Sequence, residues 1–508
     1  MGTRRRRGIV LLLVLVVITI LGLATLEFAD LMLNERKAAQ ASGRQARARA
    51  LAQSGVEVAR QFLDRDAADQ TEAGGLYDNS ARFSAVLVAD DTTPQDRGRF
   101  SVVAPRIEDR AATGVRYGLQ DESARINLAT ILQADQQAKN GAKTILMALP
   151  GMTDDIADAI LDWIDADSTP REQGAESEYY GTLVPAYAPR NGPPVTIEEL
   201  LLVRGVTPQL LFGSDAGRMG LISGTSSDEP IPGVDNSDGS MDHGWAAYLT
   251  LHSAESNLKS DGSTKINLND SDLEKLYHAM EKVLDKPSAT FIVAFRLGGK
   301  LELTTSREPD FAKLGKASNL KSVLDLIGAP PAQGTFPPPP PPPGNTMPIH
   351  NPFTSDTAAM NNYLPKLLDN TTVYSGESIP GRININQAPR AVLMCIPGMT
   401  SDIVDQIIAK RVPDPVLAPP DQHYPTWPLT EGIVPLKTMK DLLPFVPAGG
   451  SVYRAQVLGT FDQGSSAARL EVILDATKRP TRVLFWKDRS GLPGGFPVEP
   501  PRDGTASR

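Results

Sequence analysis

An unbroken apolar segment directly behind a cluster of arginines constrains this chain more than any other feature. Residues 4–7 are arginine, Gly8 follows, and residues 9–26 carry no charged side chain. A helix of that length spans roughly 27 Å, close to the thickness of one hydrocarbon core. The arginines favour the cytoplasmic side, so the rest of the chain is expected across the membrane. A secretory signal peptide is not favoured, because no small-x-small cleavage site follows the apolar segment.

The segment after the apolar run continues the helical pattern. Residues 31–63 are rich in Ala, Arg, Gln and Glu and contain no proline. Leu51, Val56 and Phe62 contribute to an apolar face at helical spacing. The sequence therefore predicts one long helix over residues 9–63, with one half in lipid and the other half outside.

This N-terminus resembles that of type IV pilins and pseudopilins. The resemblance implies that a prepilin peptidase cuts after Gly8 and that Ile9 becomes the first, methylated residue of the mature chain. Most members of that group have glutamate at the fifth mature position, where this chain has Leu13. The absence of this glutamate is typical of the protein K family of type II secretion systems. A plain single-span anchor remains the alternative.

Composition excludes several classes of function. The chain has 508 residues, a net charge of −9 and a sequence pI near 5.3, which argues against a dedicated nucleic-acid-binding protein. Its one cysteine, Cys395, allows no intrachain disulfide, and its five histidines lack the spacing of a zinc site. No nucleotide-binding or hydrolase motif is present. We therefore expect a structural subunit rather than an enzyme.

Strand-forming segments cluster near both ends of the exported part. Each is rich in β-branched and aromatic residues and is bounded by turn formers. They are residues 85–88, 99–103, 116–119, 452–458, 467–474 and 482–486. We expect these segments to form one sheet against the exposed half of the long helix.

An internal repeat lies between the two groups of strands. An Ile-Asn element occurs at residues 125–128, 265–268 and 382–385, and a Pro-Gly turn at residues 149–153 and 396–400. The turns predict small helical hairpins similar to the DNA-binding helix-hairpin-helix, with Thr153 and Thr400 available as helix caps. In that motif two close glycines let backbone N–H groups reach a phosphate. The second glycine is missing here, and the aspartates that follow the turn would repel a phosphate, so a protein-contact role is favoured over phosphate binding.

The predicted fold is α+β, with a pilin-like long N-terminal helix, a small antiparallel sheet and a large inserted helical domain containing helix-hairpin-helix-like repeats. The predicted boundaries follow the chain in this order: 1–8 leader peptide, 9–65 N-terminal helix, 66–120 β region, 121–223 helical module 1, 224–242 linker, 243–330 helical module 2, 331–348 proline-rich linker, 349–447 helical module 3, 448–488 C-terminal β region and 489–508 disordered tail.

An acidic segment follows the first Pro-Gly turn. Hard oxygen ligands on a loop suit Ca²⁺, although the EF-hand pattern is absent. The candidate ligands are Asp162, Asp165, Asp167, Glu172, Glu176 and Glu178. A solvated acidic loop and a catalytic carboxylate pair remain the alternatives.

Further motifs resemble the protein K family in the same order along the chain. Residues 121–128 fit its Asp-Glu-x-x-(Lys/Arg)-(Ile/Phe)-Asn-(Leu/Ile) element, residues 162–167 its Asp-Trp-Ile-Asp-x-Asp element, and residues 197–200 its (Ser/Thr)-x-x-Glu-Leu element. Residues 382–411 fit its second helical piece. The departures are the overall size, the middle module and the proline run.

The resemblance implies a minor pseudopilin that caps the tip of the pseudopilus and supports protein export across the outer membrane. Its implied partners are pseudopilins I and J, the major pseudopilin and the prepilin peptidase. Its implied location is the inner membrane, with a single span and the bulk of the chain in the periplasm. The alternative function is a membrane-anchored, competence-type DNA-binding protein that uses the hairpin modules.

Overall fold

A computed structural model describes residues 4–108, 111–137, 139–215, 217, 218, 220, 240–336, 346–463 and 467–492. Residues 1–3 of the predicted leader lie outside this described part. So do most of the linker 224–242, residues 337–345 of the proline-rich linker and residues 493–508 of the tail.

The described chain contains α-helices, short 3-10 helices and strands. The α-helices are α1 (Arg4–Leu63), α2 (Ala67–Glu72), α3 (Ser80–Phe83), α4 (Ala134–Gln137), α5 (Gly141–Met147), α6 (Asp154–Ile164), α7 (Ser177–Tyr180), α8 (Pro208–Phe212), α9 (Leu273–Val283), α10 (Lys286–Arg296), α11 (Thr357–Asn370), α12 (Arg390–Leu393), α13 (Ser401–Lys410), α14 (Trp427–Thr430) and α15 (Leu436–Leu442). The strands are β1 (Val86–Ala89), β2 (Gly98–Glu108), β3 (Ala111–Tyr117), β4 (Gln120–Asp121), β5 (Ile126–Asn127), β6 (Leu249–Thr250), β7 (Ala254–Ser256), β8 (Ile266–Asn267), β9 (Lys300–Glu302), β10 (Ala332–Thr335), β11 (Thr346–Ile349), β12 (Thr371–Thr372), β13 (Ser378–Pro380), β14 (Val452–Phe461), β15 (Ala468–Asp475) and β16 (Arg482–Asp488). The 3-10 helices are Glu122–Ala124, Ile131–Gln133, Ile197–Leu202, Ser240–His243, Trp245–Ala247, Phe311–Lys313, Val323–Leu326 and Pro420–His423.

The N-terminal helix is continuous, as its proline-free sequence predicts. Helix α1 has 60 residues and is therefore about 90 Å long. Its first half is exposed from Val10 to Leu33, and its second half packs on the protein. The prediction of one long N-terminal helix is confirmed.

The predicted sheet is also confirmed. Its seven strands are antiparallel and run in the order β1-β2-β14-β15-β16, with β3 paired to β2 and β4 paired to β14. Strands from both ends of the sequence meet at its centre, where Val102 lies opposite Val457. All residues between β4 and β14 are therefore an insertion into this one sheet, which the chain leaves after β4 and rejoins at β14.

Helix α1 and the sheet share one hydrophobic core. The buried side chains of this core include Leu51, Val56, Ala59, Phe62, Phe100, Val102, Val457, Leu470 and Val472. The helix approaches the sheet closely because Gly459 of β14 carries no side chain. A Cβ atom at Gly459 would lie 1.9 Å from the carbonyl oxygen of Ala48 and 2.7 Å from the amide nitrogen of Ala52. This contact fixes how near the helix lies to the sheet.

The inserted residues form helical modules around a second, larger hydrophobic core. Consecutive helices pack together in each module, among them α5 with α6, α9 with α10, and α12 with α13. Both Pro-Gly turns require glycine, since Gly151 has φ +68° and Gly398 has φ +89°. Their classification as helix-hairpin-helix-like repeats stays a prediction.

The two predicted threonine caps differ. The Thr400 side chain accepts a hydrogen bond from the amide of Ile403 at 3.4 Å, as expected of a cap. The Thr153 hydroxyl instead donates to Asp155 and caps no amide. The acidic residue two positions further on attracts this hydroxyl away from the helix end.

The structure gives the repeated Ile-Asn element a physical meaning. Asn127, Asn267 and Asn384 each accept a hydrogen bond at 2.9 Å from the amide two residues further on. Such an Asx turn stops the extended segment and redirects the chain. In the first two copies the element forms a short parallel pair, β5 with β6 and β8 with β12. The first element therefore pairs with a strand of the predicted second module and the second element with a strand of the predicted third, so the repeat joins consecutive modules.

Candidate functional site

The acidic loop begins where α6 ends. Helix α6 stops at Ile164, and the chain then turns back on itself. Asp165, Asp167 and Glu176 converge there, and one carboxylate oxygen from each lies within 4.8 Å of the others. The loop therefore gathers three of the six predicted ligands at one point.

Glu176 is the most unusual member of this cluster. Its side chain is 4% exposed, and neither carboxylate oxygen has a hydrogen-bond partner among the described residues. Burial, followed by the charges of Asp162 and Asp165, raises the pKa of Glu176. Burial also raises the pKa of Asp165, whose Oδ1 atom has no partner in the described structure. A buried carboxylate without a partner requires either a proton or a cation.

Arg171 supplies part of the positive charge. Its guanidinium donates to Asp162 Oδ1 at 2.7 Å and also pairs with Asp165. Asp162 is fully buried and also accepts the Arg171 amide at 3.2 Å. The carboxylate of Asp162 therefore holds the loop in place beside the cluster. A Cβ atom at Gly174 would lie 1.8 Å from Asp162 Oδ2, so this position requires glycine.

The remaining predicted ligands lie elsewhere. Glu172 and Glu178 are exposed and do not belong to the converging group. Sequence reasoning overlooked Arg171, although it is the one basic residue between residues 162 and 178. It also gave Asn191 no place among the site residues, although the Asn191 side-chain amide donates to the Asp167 carbonyl at 2.6 Å from a backbone with φ +50°. Only the folded loop brings Asn191 to this position.

A cluster of three aromatic side chains, Trp163, Tyr180 and Tyr187, lies next to the acidic loop. Trp163 packs edge-on against Tyr180 at 5.3 Å between ring centroids, and Tyr187 lies 6.3 Å from Trp163. Glu199 accepts the Trp163 indole N–H at 3.0 Å and pairs with Arg190. The end of α6 and the 3-10 helix Ile197–Leu202 are thereby joined, which holds the carboxylates of the loop at fixed positions.

The cations beside the Pro-Gly turns already have acidic partners. Lys143 pairs with Asp154 and Asp158 at 3.0 Å, and Arg390 pairs with Asp405 at 2.9 Å. A phosphate at these turns would have to compete with those carboxylates. The geometry of the turns does not favour nucleic-acid binding.

A buried ion network joins the helical modules to the sheet. Glu122, which is fully buried, accepts hydrogen bonds from Arg125 at 3.0 Å and from Arg454 of β14 at 2.7 Å. Arg454 also pairs with Glu471 of β15, and Glu471 pairs with Arg489. Although burial opposes ionisation, the charges of Arg454 and Arg125 hold the pKa of Glu122 at about 2. Burial and the Arg454 charge lower the pKa of Arg125 to about 10.

The network continues to the 3-10 helix Ile197–Leu202. Glu198 accepts from Lys487 and Arg489 at 2.8 Å and from Arg218 at 3.1 Å. Hydrogen bonds from Lys487 and Arg489 outweigh burial and hold the pKa of Glu198 at about 2. The first helical module is therefore ion-paired to the sheet at two separate carboxylates.

Residues 124–212, which include the acidic loop and its aromatic support, match the family model for type II secretion system protein K. This chain carries a type II secretion system protein K domain. The match confirms the resemblance predicted from the sequence motifs, and it supports a minor pseudopilin role. The apolar half of α1 is compatible with a membrane anchor, since α1 is the one described helix long and apolar enough to cross a membrane.

Comparison with solved structures and curated proteins adds little to the protein K match. A chain of the GspK-GspI-GspJ complex from the enterotoxigenic Escherichia coli type 2 secretion system is similar at 12% identity, with 90% of this chain and 98% of that chain covered and a TM-score of 0.31. A TM-score this low supports neither a common overall shape nor shared partners. No curated protein matches the chain in sequence.

Proposed function

We propose that the protein is a minor pseudopilin that caps the tip of a type II secretion pseudopilus and so supports protein export across the outer membrane. The observation that carries the proposal is a protein K domain inserted in a sheet that packs on an N-terminal helix with an exposed apolar half. The helix would anchor the subunit in the inner membrane, with the remaining chain in the periplasm, and would later pack into the fibre.

The size of the inserted head supports a position at the tip. The residues between β4 and β14 make up well over half of the chain, and they are ion-paired to the sheet through Glu122 and Glu198. These ion pairs would hold the head beside the sheet, in the path of any subunit that stacks above it. Leu13 agrees with this position, because a terminal subunit has no neighbour above it to pair with a buried glutamate. Pseudopilins I and J are the proposed neighbours, with the major pseudopilin below.

Processing by a prepilin peptidase provides a direct test. Co-expression with the peptidase is expected to yield a mature chain that begins at Ile9, as read by N-terminal sequencing. The variant Gly8→Val keeps the arginines and the apolar segment, yet it is expected to remain uncut because the peptidase requires glycine there. An intact Met1 in the wild-type chain, or cleavage at another bond, would refute the assignment as a pseudopilin.

The position in the fibre needs a separate experiment. Gold labels on the head are expected at fibre ends only. Labels repeated along the shaft would contradict capping while leaving the processing result intact.

The acidic loop is proposed to bind Ca²⁺ through Asp165, Asp167 and Glu176. Adding Ca²⁺ to the EGTA-treated full chain in detergent micelles is expected to stabilise it by about 2.7 kcal/mol at a concentration 100 times the Kd. The variant Glu176→Gln should lose most of this effect, whereas Glu178→Gln, with an exposed side chain, should keep it. Equal responses of the two variants in thermal melts would exclude this site.

The raised pKa values predict how Ca²⁺ binding depends on pH. Because the pKa values of Asp165 and Glu176 are higher in the folded chain than in the unfolded one, the calcium-free chain loses stability as pH rises through the folded values. Calcium binding becomes stronger over the same range because protons no longer compete. The stabilisation by Ca²⁺ should therefore grow as pH rises from about 4, and a pH-independent effect would contradict direct coordination by these carboxylates.

A further inference from the structure

A cleft lies between the middle and last helical modules. It encloses about 1060 Å³, including the solvent at its mouth. One wall comes from residues 255–260 and 321–323, and the other comes from residues 368–374 and 443–444. About 300 Å³ of the cleft is open to a water-sized molecule, which lies at the lower end of the roughly 300–1,000 Å³ of ligand sites.

The interior of the cleft is charge-balanced. Arg382, which is half-buried, pairs with Glu255. Lys265 donates to the Leu368 carbonyl at 2.9 Å and lies within the electrostatic field of Glu255 and Asp369. Two deep cations therefore face two carboxylates, and the interior contributes no net charge.

The mouth of the cleft carries a surplus of positive charge. Lys259 and Lys321 line it, and neither forms an ion pair within the described part of the chain. Lys259 lies within the electrostatic field of Asp261, which does not line the cleft. The lining residues themselves still carry two more positive than negative side chains, in a chain whose net charge is −9. Positive charge focused at a cleft attracts ligands of opposite sign.

The walls also offer apolar and aromatic surface. Leu258, Ile379 and Leu443 line the cleft together with Tyr374 and Tyr424. Such a mixture of apolar contact area and a few charged groups suits a peptide better than a compact inorganic anion. Nucleic acid is disfavoured because the acidic protein would repel its backbone.

We propose that this cleft binds an acidic peptide segment of a partner protein. The lysines at the mouth would pair with the peptide carboxylates, and the aromatic and apolar walls would pack on the intervening side chains. The proposal does not depend on the pseudopilin role, and it assigns a binding function to the middle module.

A labelled hexapeptide of alternating Glu and Ala tests the proposal by fluorescence anisotropy with the full chain in detergent micelles. The peptide is expected to bind at low salt, and the double variant Lys259→Met/Lys321→Met should lower its affinity about tenfold. The matched control is Lys300→Met/Lys316→Met, which removes the same charge from two exposed lysines of the middle module outside the cleft. This control should bind as the wild type does.

Three results would overturn the proposal. The first is an absence of glutamate-peptide binding to the wild-type chain. The second is an equal loss of affinity in both double variants, which would mean that net charge alone governs binding. The third is displacement of the peptide by an equal concentration of inorganic phosphate, which would mean that the cleft selects a small anion rather than a peptide.

Discussion

Replacing Gly459 with alanine is expected to lower the free energy of unfolding by about 3 kcal/mol. The added Cβ atom would lie 1.9 Å from the Ala48 carbonyl oxygen, and no side-chain rotation can relieve a clash with helix backbone. Helix α1 would have to move away from β14, and the side chains of Val56 and Phe62 would lose their close packing on the sheet. Urea denaturation of the full chain in detergent micelles, followed by circular dichroism, measures the loss.

Gly114→Ala is the matched control for Gly459→Ala. Gly114 lies in β3 of the same sheet, and a Cβ atom there would have no neighbour within 4 Å. The free energy of unfolding of the Gly114→Ala variant should therefore remain within about 1 kcal/mol of the wild type. Similar losses in both variants would show that the effect comes from the strand backbone and not from the approach of the helix.

Replacing Glu122 with glutamine is expected to cost about 3 kcal/mol and to loosen the head from the sheet. The neutral amide would leave Arg125 and Arg454 buried without the charge of Glu122, although Glu471 would still pair with Arg454. Breaking one partner of a buried ion pair is costly because the remaining charge has lost its hydration without compensation. Limited proteolysis between the head and β14, together with urea denaturation, should detect the change.

The pH dependence of the Glu122 contribution follows from the sign of its pKa shift. The folded-state pKa of about 2 lies below the ordinary value of 4.5, so this carboxylate contributes stability above pH 4.5. The contribution is lost as pH falls toward 2. The wild type should therefore lose free energy of unfolding between pH 5 and pH 2, and the Glu122→Gln variant should lose less of it over the same range.

Glu57→Gln is the control for Glu122→Gln. Glu57 pairs with Arg60 three residues later, as Glu122 pairs with Arg125, but both Glu57 and Arg60 are exposed. Exposed ion pairs contribute little, so this variant should stay within about 0.5 kcal/mol of the wild type. A larger loss for Glu57→Gln than for Glu122→Gln would contradict the role of burial in the network.

The acidic loop illustrates what a sequence pattern can and cannot predict about a site. The density of carboxylates between residues 162 and 178 was enough to suggest a cation site. Residue type alone did not separate Glu176, which is buried and points into the cluster, from Glu178, which is exposed. That separation depends on how the chain turns after Ile164 and on which side chain Arg171 pairs with, and both are properties of the folded loop.

The sequence by itself determined the long helix, the six strand segments and the repeated Ile-Asn elements. Each of these depends on local periodicity or on an asparagine that bonds to the amide two residues away, so no distant residue is needed. Only the tertiary structure decided the pairing of Glu122 with Arg454, the contact between Gly459 and helix α1, and the cleft between the middle and last modules. Those features join residues that are far apart in the chain. Their contribution to stability arises only when the chain has folded, because folding brings these residues together and removes water from them.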